Sequence, residues 1–347
     1  MTSRERILTA ISHEEPDRVP VWFAVQAGIR QRLFEYFGVD DTPVLLERLG
    51  CDAFGAQGSW VHPEYRGPER LTMPDGSQAD HFGIVIQKHW PLAFAQTVAD
   101  LESYSWPRAD WFDYSTVKER CLAAKERDMV TIGGEGSCGI YHAINLRGYQ
   151  LALTDPYLCP DLAEAYMQRM GDFMVEWNDR WLDAAEGEFD LFRCGDEVGN
   201  SQTMLLRPEI WRKSHKPQPR RVWSVARRKG IKVYYHCCGC LRPVFEDLLE
   251  LGVDLWDTAP PYVDGNDLAE MKRLYGDRVT FVGGVDQPFV LYGGTPREVE
   301  DEVRLRLDQL APGGGLLLGP SQAITDDCPL ENVLAMYETA RKYGEYR

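Results

Sequence analysis

Short apolar runs alternate along this chain with longer stretches in which apolar residues recur at helical spacing. Most of the short runs are continuous rather than alternating, which is typical of parallel strands that are buried on both faces. Eight runs are predicted to be strands, at residues 18–25, 52–56, 129–133, 189–192, 231–235, 253–256, 279–282 and 316–318. The stretches between most of them predict helices, so the chain repeats a strand and a helix.

The helical stretches carry recognisable start and stop signals. The amphipathic stretches at residues 161–185 and 208–229 are each closed by a glycine. Thr295 and Glu298 have the spacing of a capping box, which predicts the start of another helix. Eight strand–helix units call for a parallel sheet, so the pattern predicts an α/β fold: a single (β/α)8 TIM barrel domain over residues 1–347. A doubly wound open sheet is the alternative.

Residues 59–110 interrupt this alternation. The stretch is rich in proline and glycine and contains the dipeptide Asp75-Gly76, which is a hairpin signal. We therefore predict an inserted hairpin region between the second and third barrel units. Insertions of this kind often cover an active site.

Composition and charge narrow the range of functions. Lys and Arg number 38 and Asp and Glu number 54, giving a formal net charge of −16. So acidic a chain is a poor match for nucleic acid or for an anionic membrane surface. No run approaches the roughly 20 apolar residues of a membrane span, and the N-terminus lacks the apolar core of an export signal. The nine cysteines are therefore expected to be reduced thiols of a cytoplasmic protein.

Polar side chains come directly after seven of the eight predicted strands. Catalytic groups of such barrels come from the C-terminal ends of the strands, so these residues are predicted to converge at one mouth. The predicted catalytic residues are Asp196, Glu197 and Asp286. The predicted substrate-binding residues are Gln26, Arg30, Glu135, Gln202, Asp257 and Gln322.

Two local patterns among these residues have a functional and a structural interpretation. Asp196-Glu197 could form a carboxylate pair with one raised pKa, suited to acid–base chemistry. A cap or loop-bracing role is the commoner one for an aspartate in a glycine-rich loop. In His236-Cys237-Cys238, the first and third residues point the same way along an extended segment.

His236 and Cys238 are therefore predicted to share one zinc ion, because imidazole and thiolate are good zinc ligands. A catalytic zinc needs a third protein ligand, and the candidates are Cys328 or a carboxylate such as Glu197 or Asp257. The alternative is that the cysteines are small core residues and that His236 is a hydrogen-bonded histidine at a strand end. Spacing alone leaves both interpretations open.

Three segments resemble the uroporphyrinogen decarboxylase superfamily. They are residues 4–23 (RERILTAISHEEPDRVPVWF), residues 234–257 (YYHCCGCLRPVFEDLLELGVDLWD) and residues 281–338, which begin FVGGVDQPFVLYGG. The resemblance extends over nearly the whole chain and is most specific in the C-terminal third. It implies a single (β/α)8 barrel, in agreement with the count of strand–helix units.

The superfamily has two main branches, and charged residues after the first strand distinguish the decarboxylases. True decarboxylases of this superfamily hold the carboxylates of the porphyrinogen with arginines in a pattern like R-Q-A-G-R after the first strand. Here residues 25–29 read VQAGI, so both arginine positions are apolar, and Arg30 lies one position further on. The missing charge-assisted hydrogen bonds would each be worth roughly 1.5–3 kcal/mol. This argues strongly against uroporphyrinogen as the substrate.

The other branch resembles methyltransferases that work with corrinoid proteins. In its thiol-using members, zinc is held by a His-x-Cys pair and a later cysteine, and His236 and Cys238 match the pair. The position of the later cysteine is occupied by Gln322, and Cys328 lies six residues on. The resemblance therefore implies a methyltransferase of a corrinoid-dependent demethylation pathway, with zinc at the barrel mouth and a cobamide supplied by a partner protein.

The methyl donor or acceptor would be a small molecule, and superfamily members often form homodimers. One alternative is a cofactor-independent decarboxylase of a tetrapyrrole or another carboxylic acid, using Asp196, Arg30 and Asp286. A second is a non-catalytic protein that binds a tetrapyrrole or corrinoid.

Overall fold

Six parallel strands lie side by side in chain order and form the sheet at the centre of the protein. The structure is a computed structural model and describes residues 1–52 and 60–346. The six strands, β3 to β8, are Ile132–Gly133, Leu191–Gly195, Lys232–His236, Val253–Thr258, Thr280–Val285 and Leu316–Pro320. Each neighbouring pair is joined by one or more helices, as a parallel sheet requires.

Thirteen α-helices lie within the described ranges. In chain order, α1 to α13 are Ser3–Ile11, Ala27–Phe37, Thr42–Leu49, Val117–Glu126, Ile140–Arg147, Tyr149–Leu158, Pro160–Ala184, Pro208–Ser214, Pro217–Arg228, Phe245–Leu251, Leu268–Tyr275, Pro296–Leu310 and Leu330–Tyr343. The predicted capping box at Thr295 and Glu298 is present at the start of α12. Across residues 1–52 and 60–346, no helix combines the length and apolar character needed to cross a lipid bilayer.

Isolated parallel bridges extend the pairing beyond the six strands. Val21 pairs with Leu318 of β8, and its neighbour Trp22 pairs with Asp52. At the other edge of the sheet, Trp60 pairs with Ile132 of β3. The predicted α/β barrel class is confirmed. Most of the predicted second strand at residues 52–56 lies outside the described residues.

One side of every sheet strand faces the inside of the barrel. Leu191, Tyr234 and Leu255 pack there with inward residues of β7 and β8, and Ile7 and Ile11 of α1 join the same cluster. Helix α1 thus packs near the N-terminal ends of the strands, at the end of the barrel opposite the mouth. Because side chains alternate along a strand, the next inward positions toward the mouth belong to Arg193, His236 and Asp257.

The prediction of one continuous helix at residues 208–229 is wrong. The structure has α8 and α9 instead, with a break at His215 and Lys216. Pro217 begins α9 and cannot donate a backbone hydrogen bond to the preceding turn, so a continuous helix would be interrupted here. Pro219 lies within the first turn of α9, where a missing N–H is tolerated.

The inserted hairpin region is confirmed over residues 60–110, and position 59 lies outside the described residues. Strands β1 (Glu64–Tyr65) and β2 (Phe112–Asp113) pair antiparallel at its two ends. Thr72 and Gln78 form an antiparallel bridge around Asp75-Gly76, as predicted. Arg147 of α5 anchors the insertion, since its guanidinium donates to the backbone oxygens of Leu92 and Ala95.

Candidate active site

A cavity of about 550 Å³ opens at the mouth of the barrel, among the C-terminal ends of the strands. It is lined by Trp22, Phe23, Ala24, Val25, Arg30, Thr42, Trp60, Arg193, Tyr234, His236, Asp257, Thr258, Gln322 and Ala323. Four predicted site residues, Arg30, His236, Asp257 and Gln322, therefore lie around one space. Aromatic rings form much of its wall, which suits a ligand with an apolar body.

His236 is held in place by a buried carboxylate. Its Nδ1 lies 2.7 Å from Oδ2 of Asp257, and the same oxygen accepts a 2.9 Å hydrogen bond from the Tyr234 hydroxyl. Burial lowers the pKa of His236, but the charge and hydrogen bond of Asp257, together with a hydrogen bond to Cys238, raise it to about 9. A carboxylate behind an imidazole fixes the orientation of the ring, as it does for metal-binding histidines.

Cys238 is in hydrogen-bonding contact with His236 and is partly exposed. Cys237 is buried, and its thiol faces the backbone of Val198 and Gly239. Burial raises the pKa of Cys237 far above that of an ordinary thiol. The chain therefore presents one imidazole and one thiol to each other and turns the intervening thiol away.

Cys328 is not part of this arrangement. Its thiol is buried and donates to the backbone oxygen of Leu291, 3.3 Å away, just before α13 begins. No group of three His, Cys, Asp or Glu side chains suited to a metal ion is found in the described part of the chain. His236 and Cys238 are donors that zinc prefers, but the structure does not assemble the predicted three-ligand set. All nine cysteines, each within the described ranges, are free thiols.

Asp196 lies behind the site and caps helix α5. Its Oδ1 accepts hydrogen bonds from the backbone N–H groups of Tyr141, at 2.7 Å, and Glu197, at 2.9 Å. Burial raises the pKa of Asp196 to about 6, although these backbone hydrogen bonds oppose the rise. These contacts are those of a loop-bracing residue, and a catalytic role for Asp196 remains a prediction.

The buried Asp196 carboxyl gives the first testable prediction. Its pKa is 3.8 in its ordinary environment and about 6 in the folded protein, so the folded state binds this proton more tightly. This contribution to stability is therefore lost as pH rises from about 4 to 6, by roughly 3 kcal/mol at about 1.36 kcal/mol per pKa unit. We expect the difference in unfolding free energy between wild type and Asp196→Asn to change by this amount in urea titrations at pH 3 and 7. The same difference at both pH values would contradict it.

The remaining predicted residues are divided between the mouth and other places. Glu197 is exposed, and desolvation raises the pKa of its carboxyl while the nearby charge of His236 opposes the rise. Gln322 contacts the hydroxyl of Tyr262 at 3.5 Å. Glu135 lies instead in a second cavity of about 350 Å³, together with His142 of α5 and several residues of the insertion.

Three further predicted residues do not line either cavity and lie in turns or at the start of a helix. Asp286 caps the turn Gln287–Leu291 by accepting a hydrogen bond from the N–H of Phe289. Gln202 is an exposed residue of the loop after β4, where its N–H donates to the Asn200 side chain. Gln26 is exposed at the start of α2.

Arg193, Tyr234 and Tyr262 were not predicted as site residues. Arg193 and Tyr234 lie within strands of the sheet, whereas most of the predicted site residues lie in the loops at the strand ends. Side chains two residues apart on a strand point the same way, so an inward Leu191 predicts that Arg193 points inward too, closer to the mouth. Tyr262 lies in the loop after β6, beyond Asp257, and its pKa is raised by burial and by the nearby Cys238.

Comparison with known proteins places the chain among barrel enzymes. The model of the family described as "Uroporphyrinogen decarboxylase (URO-D)" matches residues 93–343. The Methylcobamide:CoM methyltransferase MtaA of Methanosarcina barkeri is 29% identical over 354 residues, covering 99% of this chain and 98% of the relative. A uroporphyrinogen decarboxylase of Coxiella burnetii is 22% identical over 375 residues, covering 98% and 95%.

Among solved structures, a methyltransferase from Methanosarcina mazei shares the fold. The TM-score is 0.63 at 21% sequence identity, and 99% of each chain is covered. Identity is thus higher to the named methyltransferase than to the named decarboxylase, as the altered residues 25–29 predicted.

Proposed function

This chain belongs to the uroporphyrinogen decarboxylase family, and from that premise we propose that it is a methyltransferase. It would move a methyl group between a cobamide carried by a partner corrinoid protein and a small donor or acceptor at the barrel mouth. The observation that carries the proposal is His236, which lines the aromatic cavity, is anchored by Asp257 and contacts Cys238. The full-length likeness to a methyltransferase supports it. The free cysteines are in keeping with a reducing, cytoplasmic setting.

In the direction that methylates a thiol, the new S–C bond forms as the Co–C bond breaks. The electron pair of the broken bond stays on cobalt, and the thiol proton leaves to a base. Zinc would be held by His236 and Cys238, and when bound it supplies the charge that keeps an acceptor thiol deprotonated at neutral pH. Gln322 and Tyr262 line the side of the site near Cys238.

The protein's own groups would position the reactants and handle the proton. Asp257 fixes the ring of His236, and the raised pKa of the nearby Glu197 suits a group that takes up a proton. Trp22 and Trp60 would hold the apolar part of the small molecule against the cavity wall. The partner's cobamide would have to approach through this mouth.

Metal content measured by mass spectrometry tests this proposal. We expect about one zinc per chain in wild-type protein purified without chelator, and loss of that zinc in Cys238→Ser. Cys237→Ser is the matched control, because the neighbouring thiol faces away from the site, and it should keep the metal. Absence of zinc from the wild type, or its retention in Cys238→Ser, would contradict zinc-assisted transfer at this pair.

Decarboxylation of a small carboxylic acid is the second candidate. It is favoured by the position of Arg193, an arginine inside the mouth cavity that could hold a carboxylate. This alternative predicts turnover that needs neither metal nor a corrinoid protein. Release of CO2 by metal-free enzyme from a carboxylate that the cavity binds would establish it in place of methyl transfer.

A further inference from the structure

Arg193 has no partner for its charge inside the mouth cavity. Its guanidinium lies 5.2 Å from the ring centre of Tyr234 and 5.6 Å from that of Trp60. One terminal nitrogen donates to the backbone oxygen of Cys194, while the buried Nε has no acceptor among the described residues. In those same ranges, no carboxylate lies within 4 Å of this side chain. Only some of the hydrogen-bond donors of Arg193 therefore have an acceptor among the described residues.

The two buried arginines of the described residues are both paired, whereas Arg193 is half-buried. Arg6 binds Asp52 at 2.6 Å, and Arg147 binds Asp155 at 2.8 Å. Pairing is expected, because a buried charge without a partner is strongly unfavourable. Half-buried Arg193 has a buried Nε and no carboxylate partner among the described residues, at a place where an external molecule can supply one.

The charges around the cavity also favour an anion. Its charged lining residues, apart from His236, are Arg30, Arg193 and Asp257. Asp257 already serves His236 and Tyr234 through Oδ2. A cavity with two arginines in a chain of net charge −16 is a local reversal of sign, which concentrates anionic ligands.

We propose that Arg193 binds a carboxylate of the small molecule that donates or accepts the methyl group. The inference rests on the proposed function only in assigning this molecule to methyl transfer. Arginine presents two parallel N–H donors that match the two oxygens of a carboxylate. Trp22, Trp60 and Tyr234 surround the apolar remainder. The substrate class is therefore small carboxylic acids with an apolar or aromatic body.

Calorimetric binding of matched probes tests this assignment without a corrinoid protein and without turnover. The probes are 4-methoxybenzoate and 3-methoxypropionate, each compared with its neutral amide. We expect wild-type protein to bind at least one acid about 10- to 100-fold more tightly than its amide, as expected for a charge-assisted pair. In Arg193→Met this preference should vanish, while Arg193→Lys should keep part of it because the charge remains.

Arg278→Met is the matched control, since Arg278 also lies over a tyrosine ring but pairs with Glu246 outside the cavity. It should keep the full preference, and circular dichroism should confirm that all variants fold. If no acid binds more tightly than its amide, or if Arg193→Met keeps the preference, the assignment is wrong. Failure of methyl transfer with an intact carboxylate preference would reject the proposed reaction and leave the role of Arg193 standing.

Discussion

Replacing His236 with alanine is expected to lower methyl transfer roughly a thousandfold. The variant removes the imidazole that Asp257 anchors beside Cys238, and with it the proposed zinc site. A metal ion in such a site contributes several kcal/mol to the transition state, and each 1.36 kcal/mol is a factor of ten in rate. The measurement is the conversion of free methylcobalamin by a small thiol, followed through the visible spectrum of the corrinoid.

The Asp257→Asn variant separates positioning from direct participation. Asparagine keeps the size of the side chain but loses the charge that orients and polarises His236, and loss of such a supporting group lowers metal affinity or activity about 10- to 100-fold. We therefore expect Asp257→Asn to lie between wild type and His236→Ala in both rate and zinc content. A His236→Ala protein that keeps its fold and transfers methyl groups within tenfold of wild type would refute the proposed site.

The positions of the six sheet strands in the sequence were predictable, because parallel strands buried on both faces appear as continuous apolar runs. Their ends were less predictable, since β5 and β6 continue into His236 and Asp257–Thr258, beyond the last apolar residues of each run. Polar side chains are tolerated there because the inward face opens into the mouth cavity rather than into the core. The apolar pattern therefore ends before the strand does.

The candidate site was only partly predictable for a related reason. His236 and Cys238 are two residues apart, so local geometry alone places them together. The missing partner of Arg193 and the packing of Cys328 against Leu291 depend instead on the tertiary fold. Nothing in a local sequence window distinguishes an unpaired arginine from a paired one.

Among the proposed substitutions, removal of the Asp52 carboxylate is expected to lower the free energy of unfolding the most. Its side chain is 1% exposed and accepts from Arg6 at 2.6 Å, from Arg18 at 2.8 Å and from the backbone N–H of Val21 at 2.9 Å. It thereby ties α1 to the first extended segment of the barrel. Arg6 keeps its pair with Asp17, but the N–H of Val21 loses its buried acceptor and Arg6 and Arg18 lose the nearest carboxylate. Breaking a buried pair from one side costs about 3–5 kcal/mol. We expect Asp52→Ala to lower the free energy of unfolding in urea by this amount.

Asp17→Ala is the matched control, because Asp17 binds the same Arg6 at 2.6 Å but its side chain is 42% exposed. Exposed ion pairs are worth about 0–1 kcal/mol, since water and salt replace the partner. Should Asp52→Ala not fold, Asp52→Asn retains an acceptor oxygen and should show an intermediate loss. Equal losses in Asp52→Ala and Asp17→Ala would mean that burial does not set the strength of this pair, because Arg6 is common to both.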